Sequence, residues 1–203
     1  VEWFKAVLAK TQEEVADLFS KYRLSEALMA IYKLYCDEFS GWYLDIIKPA
    51  YGQPIDRATY EQTIQFMDTM LKLLHPFMPF ITEELWQAIE ERQEGESLMV
   101  SPLNAEQTLD KAAQLLENAT QCFDIISAIR NIRAQKNISH KEVLTLVAPS
   151  ELPAVVTKLA NVELAVGAEK SAGSASFIVG TTEYSVPLEK FINVDEELKK
   201  LEA

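Results

Sequence analysis

The feature that most constrains the fold is a change in the spacing of apolar residues near position 141. Before this position, apolar side chains recur every three or four residues, which is the period of an amphipathic helix. From residue 143 to residue 147, β-branched residues alternate with leucines, a pattern typical of a strand. The sequence therefore predicts about 140 helical residues followed by a smaller part that contains strands.

Helical spacing and helix-breaking residues divide the first part into five predicted helices. They cover approximately residues 1–20, 25–48, 57–75, 82–90 and 104–135. Ser25 and Thr82 are predicted to cap the second and fourth helices, and Asn104 with Gln107 resembles a capping box before the fifth. Because the helices have short connections and apolar faces, we expect them to form an antiparallel bundle.

The second part is predicted to be a small α/β module. A helix is expected at 151–159, with Pro153 in its first turn, and strands are expected at 143–147, 162–166, 177–179 and 184–188. The predicted fold class is therefore mainly α, a bundle followed by this module. The expected domains are residues 1–140, residues 141–192 and a truncated C-terminal helix or coiled coil at 193–203.

The net charge of −12 argues against broad contact with nucleic acid, because phosphates are bound by Lys and Arg. The charge is unevenly distributed, however. Residues 125–141 carry four cationic side chains and no carboxylate. Arg130 and Arg133, three residues apart, are predicted to share a helix face, and the candidate RNA-binding residues are Arg130, Arg133, Lys136, Asn137 and Lys141. The alternative is an ordinary solvated face, or one that pairs with the acidic helices.

Several functions are disfavoured by the residues themselves. Cys36 and Cys122 lack neighbours at metal-ligand spacing, so we expect buried or half-buried thiols in a reducing cytoplasmic setting. His75 and His140 are expected to be structural and solvated, respectively, and no catalytic triad or glycine-rich phosphate loop is present. No apolar run is long enough to span a membrane. Trp42 and Tyr43 are expected in the core rather than as platforms for unpaired bases.

Three separated segments resemble the anticodon-binding bundle of class I aminoacyl-tRNA synthetases for aliphatic amino acids. Residues 73–86 read Leu-Leu-His-Pro-Phe-Met-Pro-Phe-Ile-Thr-Glu-Glu-Leu-Trp, which is similar to the valyl branch. Residues 42–49 contain Trp-Tyr-Leu-Asp and Lys-Pro, preceded by Ser40-Gly41 where the family often has Cys-Asp. Residues 129–133 read Ile-Arg-Asn-Ile-Arg. The small α/β module also fits this family.

The resemblance implies that the chain binds tRNA, specifically valine isoacceptors, and works with the catalytic domain of the same protein. The parent enzyme would use ATP and Mg²⁺, whereas this part would hold no cofactor and contact neither DNA nor a membrane. The family's His-x-Gly-His and Lys-Met-Ser-Lys motifs are absent from the sequence, so we expect no aminoacylation by this part alone. The alternatives are a helical protein–protein interaction module and the same domain of an isoleucyl or leucyl enzyme.

Overall fold

The computed structural model describes residues 1–104, 111–168, 171 and 173–188, and the chain divides into two compact units. Unit 1 is Val1–Leu116 and unit 2 is Glu117–Ala203. The predicted fold class is confirmed, since helices are followed by a small four-stranded sheet. Gln107 of the expected capping box and the expected helix at 193–203 lie outside the described residues. The domain boundaries 1–140, 141–192 and 193–203 stay a prediction.

The helices of unit 1 follow the predicted order. They are α1 (Glu2–Ser20), α2 (Leu24–Lys33), a π-helical segment (Leu34–Tyr43), α3 (Leu44–Ile47), α4 (Arg57–Leu74), α5 (Pro79–Ile89) and a 3-10 turn (Leu98–Val100). The segment from α2 to α3 is continuous, and it corresponds to the single second helix that the sequence predicts.

The π-helical segment contains Gly41 at a position where a side chain would be crowded. A Cβ atom placed on Gly41 would lie 3.2 Å from the carbonyl oxygen of Cys36, five residues earlier. At the end of the segment, the amide of Leu44 donates to the carbonyl of Phe39, also five residues earlier. The departure from the family pattern at Ser40-Gly41 therefore falls within a wider helical turn, where i to i+5 hydrogen bonds replace the usual i to i+4 bonds.

The core of unit 1 is built around the aromatic ring of Phe4. This ring is fully buried and lies 4.8 Å from the ring of Tyr43, 5.0 Å from Phe66 and 5.3 Å from Phe39, measured between centroids. The four rings come from α1, the π-helical segment and α4. Packing of these tilted aromatic rings therefore joins three helical segments through one buried cluster.

Two predicted caps and one predicted burial are wrong. Helix α2 begins at Leu24, so Ser25 lies within it. Helix α5 begins at Pro79, whose fixed φ suits a first helical residue, and Thr82 is a buried interior residue that donates from Oγ1 to the Met78 carbonyl at 2.8 Å. Cys36 is exposed rather than buried, whereas Cys122 is buried as expected.

Unit 2 begins within α6 (Ala112–Gln135) and continues into a sheet with one helix. Its elements are β1 (Leu144–Ala148), α7 (Ala154–Ala160), β2 (Val162–Val166), β3 (Ser174–Val179) and β4 (Thr182–Pro187). The strand order is β2-β1-β4-β3, in which β1 and β2 are parallel and the other pairs are antiparallel.

The sheet has one buried apolar face, and its opposite face is mixed, because successive side chains of a strand point to opposite sides. Leu144, Leu146 and Val186 are fully buried on the apolar face. The opposite face includes Glu163 and Glu183, which are exposed. The β1–α7–β2 connection places the C-terminal end of α7 at residues 160–161, which lie directly before β2.

Candidate RNA-binding surface

The buried face of α6 includes one of the predicted cationic residues. Cys122, Ile126, Ile129 and Arg133 are all buried, and their spacing of four, three and four residues places them on one side of the helix. Arg130 lies beside this stripe and is half-buried. The buried stripe of α6 thus ends in a guanidinium group rather than in an aliphatic side chain.

The expectation that Arg133 lies on an exposed cationic face is wrong, because only 2% of this residue is exposed. Its Nη1 donates to the Ser139 carbonyl at 2.8 Å. Its Nη2 is within 2.9 to 3.1 Å of three further carbonyls, those of Glu142, Ala160 and Asn161. Since Nη2 carries two hydrogens, at least one of them is shared. Arg133 therefore has a structural role, because it joins the loop after α6 to the end of α7. Its burial removes it from the RNA-contacting residues expected from the sequence.

The surroundings of Arg133 explain how a cation can be buried here. Burial lowers the pKa of the guanidinium, and the nearby Glu142 carboxylate partly opposes this change. Two of the four acceptors, the carbonyls of Ala160 and Asn161, lie at the C-terminal end of α7, where helix carbonyls lack intrahelical partners and carry partial negative charge. The cation therefore adds a donor to both carbonyls, and the Asn161 carbonyl also accepts from the amide of Leu144 at 3.3 Å.

The other predicted residues lie at the end of α6 and in the loop that follows. Lys136 is half-buried, and Asn137 and Lys141 are exposed. Asn137 has φ of 52°, a left-handed conformation that ends the helix. The structure therefore brings Lys136, Asn137 and Lys141 together in one connection between α6 and β1, with Arg130 two turns earlier on the same helix.

Asn161 is a residue of this region that the local sequence pattern did not single out. It also has a left-handed conformation, with φ of 51°, and its Nδ2 donates to the carbonyls of His140 at 3.0 Å and Glu142 at 3.1 Å. An Asn between a predicted helix and a predicted strand is a signal for a left-handed helix end. Its reach to a loop about twenty residues earlier could not be predicted from local spacing.

Unit 1 contains a polar cavity of about 690 Å³ between α4, α5 and the segment after α5. Within it, the carboxylate of Asp68 accepts from Trp86 Nε1 at 2.5 Å and from Lys72 at 2.6 Å. The guanidinium of Arg92 lies 3.8 Å above the Trp86 ring. These charges pair with one another, so the cavity presents no excess of cations to a phosphate.

The aromatic and histidine residues considered from the sequence have structural contacts. Tyr43 is fully buried, and its hydroxyl lies 2.9 Å from Thr63 Oγ1. Trp42 is half-buried. His75 Nδ1 lies 2.7 Å from Thr82 Oγ1, within hydrogen-bond distance. His140 is exposed, as expected.

In the part of the chain that the structure describes, no group of three His, Cys, Asp or Glu side chains could hold a metal ion. Across those same residues, none of the helices has the length and apolar character required to cross a bilayer. The candidate surface is a set of cationic and amide side chains, a composition suited to phosphate and base contacts.

A comparison with protein families finds a match that covers all the helices of unit 1, α6 and β1. Residues 1–148 match the family described as the anticodon-binding domain of tRNA ligase. This match covers most of the chain, and the chain belongs to that family.

Similar curated proteins specify the relationship further, since they include valine–tRNA ligases from several bacteria. The chain is 58% identical to the enzyme from Phocaeicola vulgatus and 54% identical to that from Parabacteroides distasonis, over 100% of this chain in both cases. It is 30% identical to the enzyme from Listeria innocua over 99% of the chain. In each case the chain spans only 24% of the relative's length.

Proposed function

We propose that this chain binds the anticodon arm of valine tRNA and positions that tRNA for a catalytic domain in the same, longer protein. The observation that carries the proposal is the match of residues 1–148 to an anticodon-binding family. The names of the relatives support valine as the amino acid. By the same reasoning, the whole protein would be a cytoplasmic ligase that uses ATP and Mg²⁺ in a catalytic domain outside this chain.

The proposed contacts are made by Arg130, Lys136, Asn137 and Lys141. Lys and Arg side chains would pair with phosphates, and the Asn137 amide could hydrogen-bond to an unstacked base or a sugar. The remainder of the surface limits the area of contact, because the exposed sheet face of unit 2 carries Glu163 and Glu183. Binding is therefore expected to be weak and local.

Salt dependence tests the number of phosphate contacts. Each neutralised phosphate contributes about 0.7 to 0.9 to the slope of log K against log salt concentration. Three cationic side chains then give a slope of roughly 2 to 3. The measurement is fluorescence anisotropy of a labelled valine anticodon hairpin titrated with the 203-residue chain at several salt concentrations.

Lys141→Ala should weaken hairpin binding and reduce that slope by about 0.7 to 0.9. Lys158→Ala, which removes the same charge from an exposed position on α7, is the matched control and should leave the slope unchanged. Equal binding by wild type and an Arg130→Ala/Lys141→Ala variant would contradict the proposed surface. No wild-type binding even at low salt would contradict the proposed function.

The rival interpretation, a protein–protein interaction module, makes a different prediction for the same chain. It requires a partner that remains bound after RNase treatment, with no tRNA recovered. A pulldown with and without RNase separates the two, because RNA-mediated capture is lost on digestion.

A further inference from the structure

Backbone and side-chain hydrogen bonds fix the turn at residues 137–142, both within the loop and to the end of α6. The amide of Ile138 donates to the Arg133 carbonyl at 2.9 Å, and the amide of Glu142 donates to the Ser139 carbonyl at 3.2 Å. The amide of Lys141 donates to Ser139 Oγ at 3.3 Å. The loop thus has a defined turn rather than an open, freely rotating backbone.

Two side chains from outside the loop hold its carbonyl groups. Arg133 donates to Ser139 and Glu142, and Asn161 donates to His140 and Glu142. Three loop carbonyls are therefore directed towards protein donors. The side chains of His140 and Lys141 are exposed on this fixed backbone.

We propose that Arg133 and Asn161 are positioning residues for RNA binding, which fix the 137–142 loop before the RNA arrives. This inference rests on the proposed function, since it concerns the same cationic connection. Ordering a loop during association costs conformational entropy, and a loop already ordered by the fold avoids that cost. Neither residue needs to contact RNA, and burial prevents Arg133 from doing so.

Asn161→Gly tests the inference with little disturbance of the fold. Glycine adopts the left-handed conformation of residue 161 without strain, so the substitution removes only the two side-chain donations to the loop. We expect about five- to thirtyfold weaker binding of the valine anticodon hairpin, from two lost hydrogen bonds that order the loop.

The salt slope distinguishes a positioning residue from a contact residue. With Asn161→Gly the same phosphates are bound in the final complex, so the slope should equal that of wild type while affinity falls at every salt concentration. Lys141→Ala, in contrast, should reduce the slope. Without RNA, the ¹H–¹⁵N heteronuclear NOE of residues 138–142 should decrease in Asn161→Gly, while unit 2 stays folded.

Two further variants complete the experiment. Thr157→Ala is the matched control, because it removes a side-chain donation of 3.0 Å to the Ala154 carbonyl within α7, away from the loop; its affinity should be that of wild type. Ser139→Ala removes the acceptor for the Lys141 amide and should also weaken binding at unchanged slope. It supplies the test if Asn161→Gly unfolds.

The outcomes separate this inference from the function on which it depends. If wild type binds the hairpin and both loop variants bind equally well, positioning is refuted and the proposed function stands. A reduced slope in Asn161→Gly would also refute it, because phosphate contacts would then depend directly on residue 161. If wild type does not bind, the proposed function itself fails.

Discussion

Replacing Arg133 by Met should destabilise unit 2 without affecting unit 1. Methionine keeps an unbranched apolar chain but removes the guanidinium from four carbonyls. The carbonyls of Ser139, Glu142 and Asn161 each keep a second donor, from the amide of Glu142, the Asn161 side chain and the amide of Leu144 respectively. The bond to Ala160 is fully buried, and a buried acceptor without a partner costs about 1 to 3 kcal/mol. The other three bonds are partly buried and their acceptors keep a second donor, so the loss of each bond costs only about 0.5 kcal/mol. The expected loss of stability is roughly 2.5 to 4.5 kcal/mol.

Hydrogen exchange measured by mass spectrometry gives this result for each unit separately. Amides of β1 and β4 that exchange through unfolding of unit 2 should do so about two to three orders of magnitude faster in Arg133→Met. All three tryptophans lie in unit 1, at positions 3, 42 and 86, so the denaturant midpoint from tryptophan fluorescence should not move.

Lys141→Met is the matched control, since it replaces an exposed cation with the same side chain and should change stability by less than about 0.5 kcal/mol. Arg133→Lys should give an intermediate loss, because an ammonium group has three donors and cannot reproduce the planar fork. Wild-type exchange rates in Arg133→Met would refute the stabilisation of unit 2 by the hydrogen bonds of Arg133. They would also show that water reaches the four carbonyls without any rearrangement of the fold.

Two further predictions concern unit 1. The Glu83 carboxylate accepts from Gln87, Ser97 and Leu98, and these bonds lower its pKa below the ordinary 4.5. The ionised Glu83 carboxylate therefore stabilises the fold at neutral pH, and this stabilisation is lost as pH falls through its folded-state pKa. The difference in melting temperature between wild type and Glu83→Gln should consequently shrink from pH 7 to pH 3. Asp68→Asn leaves Lys72 and Arg92 without their shared carboxylate and should cost about 1 to 3 kcal/mol in urea unfolding followed by tryptophan fluorescence; an unchanged midpoint would contradict this.

The sequence predicted those parts of the fold that depend on local periodicity. The bounds of α1 and β2 agree with the predicted segments within a residue, because each has a clear apolar repeat. The predicted start of α5 is wrong by three residues. Thr82 is a residue type that favours a capping position, but Pro79 is the first helical residue. The π-helical segment was missed because its evidence, the close approach at Gly41, exists only in three dimensions.

The candidate site stays a prediction, but the exposed position expected for one of its residues is wrong. Arg133 lies three residues after Arg130 but four after Ile129, and a four-residue step turns a helix by only about 40°, less than the roughly 60° of a three-residue step. Arg133 therefore continues the buried stripe more closely than it follows Arg130. The charge of Arg133 favoured an exposed position in the prediction. Its hydrogen-bond acceptors, which make burial possible, lie in α7 and the 137–142 loop, and local spacing does not reveal them.

The burial of Arg133 changes how an acidic chain can bind RNA. A surface with few cations gains little from electrostatic attraction, so the geometry of each remaining cation has a larger influence on affinity. Burying one cation lowers the number that can contact phosphates, but the same guanidinium fixes the backbone that carries Lys141. A steep salt slope would mean that the number of charges dominates. A shallow salt slope, combined with a large loss of affinity in Asn161→Gly, would have the opposite meaning. The ordered backbone of the 137–142 loop would then contribute more to affinity than the charge lost when Arg133 is buried.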